Sequence, residues 1–492
     1  MLGGTLAGWA QYAVAVAITL VLTPFVLERI GPGAYGVWLL LSQALGYSGL
    51  LDLGIHPALV RSIAEARIKG DKEELRRVLG TGLRLYAVAG FVCLLAGIGF
   101  SVAIQRWFDL GGLSVETARQ TAIIATLSAA VALPATAISG ALKGLQRFDL
   151  SAALGLLANV LRAGGTVAAL GAGAGLPGLA MATLVSNLVM LVAGAFVLQR
   201  LTGVGFELFQ EGSFRVVKRL ASIGVFSILG TAGWQLAYGS DTLLIAGNLT
   251  AVDAAHFGLA ANMMVMVSAL VGAFTGNLLP LASTYEASGS DERATANYLL
   301  GTRITLLLAL PPLVLFFVEG PLLLSVWLGP DAGRPAGDIL RLLAIAYLPS
   351  LANAAGLPVA LGIGSHRSVA VLMLSEGLLK VLLSLLWMPR FAVFGVALAT
   401  LTSSLIHHGF LWPRMLCRRL QIRPLTLWTD ALLVPLAAAT AVTAALLLLE
   451  HSFPGRHTGT RLVTAALVSL VGFGPVVVSL VRRWVPTAKQ QP

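Results

Sequence analysis

Apolar runs of about 20 residues, the length needed to cross a hydrocarbon core, recur along this chain with only short polar interruptions. They fall near 6–27, 34–60, 85–105, 120–142, 151–172 and 178–199, and again near 220–247, 256–280, 304–326, 338–360, 368–389 and 393–412. A further pair lies near 427–450 and 462–481. The pattern predicts an all-α polytopic membrane protein of about 14 transmembrane helices.

The first twelve runs are a duplication. Gly178 to Leu188 reads GLAMATLVSNL, Gly395 to Leu405 reads GVALATLTSSL, and seven of the eleven positions are identical. Tyr35-Gly36 reappears as Phe257-Gly258, Gly80-Thr81 as Gly301-Thr302, and Arg147 as Arg367. Such a repeat predicts two homologous six-helix lobes. With an even number of helices in each, both enter the membrane from the same side, so the repeat is parallel. The expected divisions are an N-terminal lobe at 1–200, a cytoplasmic inter-lobe linker at 201–219, a C-terminal lobe at 220–412, and two extra helices with a tail at 413–492.

Composition agrees on the solvent: 57% of residues are hydrophobic and 11% charged, where soluble domains carry about a quarter charged residues. The net charge of +11 could suggest nucleic acid, but the cations sit in short loops between apolar runs, which argues against it. With the N-terminus inside, 23 of the 33 Lys and Arg residues fall in inside loops and seven outside. The positive-inside rule therefore places both termini in the cytoplasm. The first run lacks a basic start and continues into Pro24, Phe25 and Glu28, so no cleavable signal peptide is expected.

Loop chemistry is sparse. Asp71-Lys72-Glu73-Glu74 supplies an N-cap and an acidic third position for a helix that begins on the cytoplasmic side. The longest outer stretch, Arg106 to Arg119, is too short for a catalytic domain. The two cysteines, Cys93 and Cys417, predict neither a disulfide nor a metal site, and no phosphate-cradling loop is present. No metal, no cofactor and no enzymatic activity are expected.

Several segments together resemble a known family. Arg29-Ile-Gly-Pro-Gly-Ala-Tyr-Gly-Val-Trp38, Leu50-Leu-Asp-Leu-Gly-Ile55 followed by Arg61 and Glu65, Gly144-Leu-Gln-Arg-Phe-Asp149, and Asp241-Thr-Leu-Leu-Ile245 are similar to the oligosaccharide flippases of bacterial polysaccharide synthesis. These belong to a superfamily that also holds multidrug extruders and the peptidoglycan precursor flippase. The resemblance covers nearly the whole chain. It implies two lobes around a central cavity, often with two C-terminal helices, in the bacterial inner (cytoplasmic) membrane. The implied cargo is a polyprenyl-pyrophosphate-linked oligosaccharide, moved from the cytoplasmic to the outer leaflet by alternating access and driven by an ion gradient. A glycan polymerase and other polysaccharide-assembly proteins are candidate partners.

A wet cavity for such a cargo would favour a cation for the pyrophosphate, and ionisable residues within spans are functional candidates by default. Arg162 and Lys380 occupy equivalent positions in the fifth and eleventh runs and are the candidate substrate-binding pair, with Arg341 a third cation at the outer start of a helix. Glu376 lies four residues before Lys380, the spacing of an internal ion pair. Asp52, Asp241 and Glu376 are the ion-coupling candidates, able to take a proton or hold sodium. His56 lies one turn from Asp52, which could instead orient it. Gln11, Asn159, Asn187, Gln235, Asn262 and Asn353 are candidate cavity or interhelical groups. His407 and His408 point about 100° apart on a helix, a poor metal pair, and are expected at the cytoplasmic interface.

Three other functions fit a polytopic chain. A cation-coupled multidrug extruder would want an acidic, aromatic cavity. A membrane-embedded glycan polymerase or ligase would want a large outer loop. A scaffold for the polysaccharide machinery would tolerate loss of Arg162 and Lys380.

Overall fold

The computed structural model describes residues 2–52, 54–203, 224–276, 278–288, 291–452 and 458–474. The expected inter-lobe linker falls almost wholly outside these residues, as does the end of the last apolar run. Among the described residues every regular element is helical. Eleven helical segments are long and apolar enough to cross a membrane, and Thr458–Gly472 is a shorter apolar helix.

The chain forms two compact units, residues 1–255 and 256–492. The first holds α1 (Leu2–Gly46), α2 (Ile55–Lys69), α3 (Lys72–Trp107), α4 (Val115–Gly144), α5 (Phe148–Gly171), α6 (Gly175–Thr202), α7 (Gly224–Tyr238) and α8 (Asp241–Asn248). Helix α1 contains two of the predicted spans, because Gly31 breaks it with φ 77° and ψ 164°. That conformation is open to glycine and strained for other residues. The predicted seventh span is α7 plus α8, and α8 packs against α1. The boundary by contact therefore lies after the seventh span, whereas the boundary by repeat lies before it.

In the second unit, α9 (Ala251–Thr275) starts just before the boundary. It is followed by α10 (Leu278–Ala287), α11 (Asp291–Leu328), α12 (Pro330–Ala352), α13 (Gly356–Gly362), α14 (His366–Phe391) and α15 (Val393–Ile406). A π-helical turn, His407–Leu411, leads into α16 (Trp412–Arg419) and the single turn α17 (Pro424–Leu427), before α18 (Leu433–Ser452) and α19 (Thr458–Gly472).

Surface pattern shows the solvent. On α3, Phe91, Val92, Leu95, Ile98 and Val102 are exposed, and on α14 Val371, Leu378, Leu382 and Leu385 are exposed. Both sets repeat at three, four or seven residues and form apolar stripes on the outside, which suits lipid and not water.

Close helix approach depends on small residues. A Cβ on Gly144 would stand 2.8 Å from the Val60 carbonyl oxygen and 2.8 Å from Ile63 Cβ, so the Gly140 to Gly144 spacing seats α4 on α2. Asp71 caps α3 as expected, its Oδ1 accepting from the Glu74 backbone N–H at 2.9 Å. Removing that cap costs about 1 kcal/mol. Asp71→Ala should therefore speed amide exchange in the first turn of α3 about fivefold, with the middle of α3 unchanged.

The C-terminal pair is fastened by charge. Glu319 on α11 is 3% exposed. It accepts from Arg461 Nε at 2.9 Å on both carboxylate oxygens, while Arg461 Nη2 reaches Glu450 on α18 at 2.6 Å. Glu319 lies inside the run near 304–326, but the sequence gives no sign of its partner Arg461, which reads as a loop cation.

Candidate functional site

In the first unit, α1, α4, α5 and α6 line an open cavity of about 490 Å³. Arg162 lines it. On α5, Arg162, Asn159 and Thr166 lie one turn apart, on a face distinct from the exposed Leu156, Val160 and Val167. The Asn159 side-chain oxygen accepts from Arg162 Nη2 at 2.9 Å, which orients the guanidinium along the helix and leaves four of its five N–H donors outside that bond.

Opposite it the lining carries Ser128, Thr183 and Asn187, with Thr19, Thr23, Trp38 and Ser42 from α1. Asn187 is held by α4, donating to the Ser128 carbonyl at 3.2 Å and to the Ser128 hydroxyl at 2.9 Å. The lining includes neither Asp nor Glu. A guanidinium among hydroxyls, an amide and an indole suits an anionic, hydroxyl-rich ligand. Asn187 lines the cavity and bonds between helices, whereas Asn159 bonds Arg162 within α5. The serines and threonines gave no signal, because these residues are common in spans for packing and for bonds to the preceding turn.

One candidate carboxylate of the first unit, Asp52, is bonded from two helices. Asp52 Oδ1 accepts from the His56 backbone N–H at 3.1 Å and also from the Tyr86 hydroxyl. It thus joins the start of α2 to α3, and the His56 backbone is what it orients. Asp241, 4% exposed, is the first residue of α8 after a break at Gly239 and Ser240. There the helix dipole favours its charge.

In the second unit, α14 buries Glu376 and Lys380 at 5% and 1% exposure, one turn apart on the face that also carries Ser384. Arg162 faces a cavity and Lys380 is enclosed, so equivalent sequence positions have different surroundings. Arg341 lies in the middle of α12, which starts at Pro330, earlier than predicted. Its Nη2 donates to the Val318 carbonyl at 2.9 Å, a tie between α12 and α11.

The expectation for His407 and His408 is corrected. His407 is 2% exposed, and the His408 side chain is 15% exposed. The π-helical turn lies between α12 and α14, so both directions from the helix meet protein. His407 Nδ1 bonds the Ser403 carbonyl and its Nε2 meets Ser375 Oγ, each at 3.0 Å. His408 Nε2 lies 3.1 Å from Glu376 Oε2, and its ring stacks on Trp412 with centroids 5.9 Å apart and planes 4° from parallel. A single sequence gives no warning of a π turn, which inserts one residue without a distinctive side-chain code. No group of three or more His, Cys, Asp or Glu that could hold a metal occurs among the described residues.

Comparison with known proteins identifies the family. A model described as "Polysaccharide biosynthesis protein" matches residues 5–286, more than half of the chain. The chain belongs to the polysaccharide biosynthesis protein family. It is 20% identical over 417 residues to the uncharacterized membrane protein EpsK of Bacillus subtilis, covering 84% of this chain and 82% of that one. It is 22% identical over 354 residues to a candidate O-antigen transporter of Shigella flexneri, covering 68% and 78%.

The fold of this polysaccharide biosynthesis protein is similar to that of the lipid II flippase MurJ in an inward closed conformation. The TM-score is 0.75 at 11% identity, over 98% of this chain and 100% of the other. An inward-facing multidrug-resistance transporter of the MATE family gives a TM-score of 0.71 at 17% identity, over 84% and 95%. The fold class read from the apolar runs, a helical membrane bundle of about 14 spans, agrees with both.

Proposed function

We propose that this protein flips a polyprenyl-pyrophosphate-linked oligosaccharide from the cytoplasmic to the outer leaflet of the bacterial inner membrane by alternating access, with both termini in the cytoplasm and an ion gradient as the driving force. The observation that carries the reading is the cavity of the first unit. It presents one cation, Arg162, among hydroxyl and amide groups and no carboxylate. Pyrophosphate needs the cation, and sugar hydroxyls need paired donors and acceptors. Membership of the polysaccharide biosynthesis family, the resemblance to a candidate O-antigen transporter and the flippase fold support the same cargo class.

The extruder reading has less support, because a cavity for cationic drugs would carry an acidic group where this one carries Arg162. The test is to delete the gene and measure lipid-linked oligosaccharide on the cytoplasmic leaflet. Accumulation that the wild-type gene reverses is the expected result. Absence of accumulation in a strain with no second flippase, or gradient-driven efflux of a cationic dye by the purified protein, would overturn the proposal.

A further inference from the structure

The polar residues buried behind α14 form a chain of hydrogen bonds with a fixed direction. The Tyr298 hydroxyl on α11 donates to Asn353 Oδ1 at 3.2 Å. With its oxygen so engaged, the Asn353 amide presents its NH2 group to His408 Nδ1, 3.4 Å away. An NH2 group only donates, so His408 Nδ1 carries a lone pair and the ring proton sits on Nε2. That proton points at Glu376 Oε2, 3.1 Å away. Tyr298, Asn353 and Glu376 are 1%, 5% and 5% exposed.

We infer that Glu376 and His408 are a proton-binding site, with Glu376 the proton's seat and Asn353 the residue that keeps His408 neutral. The inference rests on the ion-driven part of the proposed function and gives it a location and an ion.

Donor and acceptor roles support the assignment. The Glu376 carboxylate, which accepts from His408, shares its face of α14 with Lys380 one turn along. One proton taken from bulk water and bound to a Glu376 oxygen forms an O–H bond and removes the carboxylate's negative charge. The alternative seat, His408 Nδ1, would aim a new N–H at the Asn353 NH2 group, and two donors cannot pair.

The surrounding helices contribute other ionisable groups: Tyr298 and Arg303 on α11, Arg341 and Tyr347 on α12, His366, Arg367 and Arg390 near the ends of α14, and His407, Arg414 and Cys417 beyond α15. Helices α13 and α15 bring none.

The experiment uses full-length purified protein in lipid nanodiscs, without cargo. Infrared difference spectra follow the carbonyl band of a protonated carboxyl while pH falls from about 8 to about 5, the window of a histidine-linked switch. Emission of wild type minus Trp412→Phe follows His408, because an imidazolium stacked on an indole quenches it. In the wild type the carboxyl band should grow with little quenching. It should vanish in Glu376→Gln and persist, with altered frequency, in Glu376→Asp.

Asn353→Asp offers Nδ1–H an acceptor and should introduce quenching. A band unchanged in both Glu376 variants, or wild-type quenching without a band, overturns the inference. Because no cargo is present, loss of the flippase reading would leave this result standing. A working flippase without the Glu376 band would remove only the proton site.

Discussion

Arg162→Ala should lower the flux of lipid-linked oligosaccharide by about 10- to 100-fold, since a charge-assisted hydrogen bond to a buried anion contributes roughly 1.5–3 kcal/mol. The amount of protein in the membrane should not fall. Among the described residues Arg162 bonds only Asn159 on its own helix, so truncation strands none of them on another helix. Arg162→Lys should fall between, because an ammonium keeps the charge and loses the planar fork that matches two phosphate oxygens. Arg162→Glu should be inactive, having reversed the field at the cavity wall. The measurement is leaflet-resolved quantification of the cargo in the deletion strain carrying each variant at matched abundance. Full rescue by Arg162→Glu would exclude the cavity as the pyrophosphate site and leave the family assignment untouched.

Gly36→Val should prevent the first unit from assembling. A Cβ at Gly36 would stand 1.7 Å from the Ala251 carbonyl oxygen and 2.6 Å from its carbon. Both are backbone atoms, and the opposing segment has no side chain that could rotate away. Overpacking that side chains absorb costs about 1–3 kcal/mol, and here the helices must part, so the loss is at least about 3 kcal/mol. Gly33 is under similar constraint, its Cβ falling 2.3 Å from the Gly111 carbonyl oxygen. Gly164 on α5 has nothing within 4 Å of its added Cβ, and Gly164→Ala should be neutral or slightly stabilising. Size-exclusion profiles and thermal melts of the detergent-solubilised variants would show the contrast. A monodisperse Gly36→Val protein with a wild-type melting temperature would disprove the close approach.

These two residues show the different reach of sequence and structure. The motif Arg29 to Trp38 is legible as a unit, and the structure gives each glycine its reason: Gly31 turns the chain at positive φ, while Gly33 and Gly36 admit neighbouring backbone. Arg162 is conspicuous because a charge within a span is expensive whatever the fold. Glu376 and Lys380 stand out by the same argument, and nothing in the sequence joins Glu376 to the residues it meets. His408 comes from another helix, Asn353 from the break between α12 and α13, and Tyr298 from a third helix. Each is ordinary in its own segment.

The sequence by itself determined the solvent, the span count and the duplication, because the length and period of an apolar run are set by the bilayer and by helix geometry, both independent of tertiary contacts. It also determined which charges had to be explained. Only the tertiary structure decided what each charge meets: a cavity with hydroxyl and amide groups on its wall for Arg162, the Asn353 and His408 chain for Glu376, and the α18–α19 pair for Glu319. Those contacts join residues far apart in the chain, and a direction of approach between helices leaves no periodicity in either one.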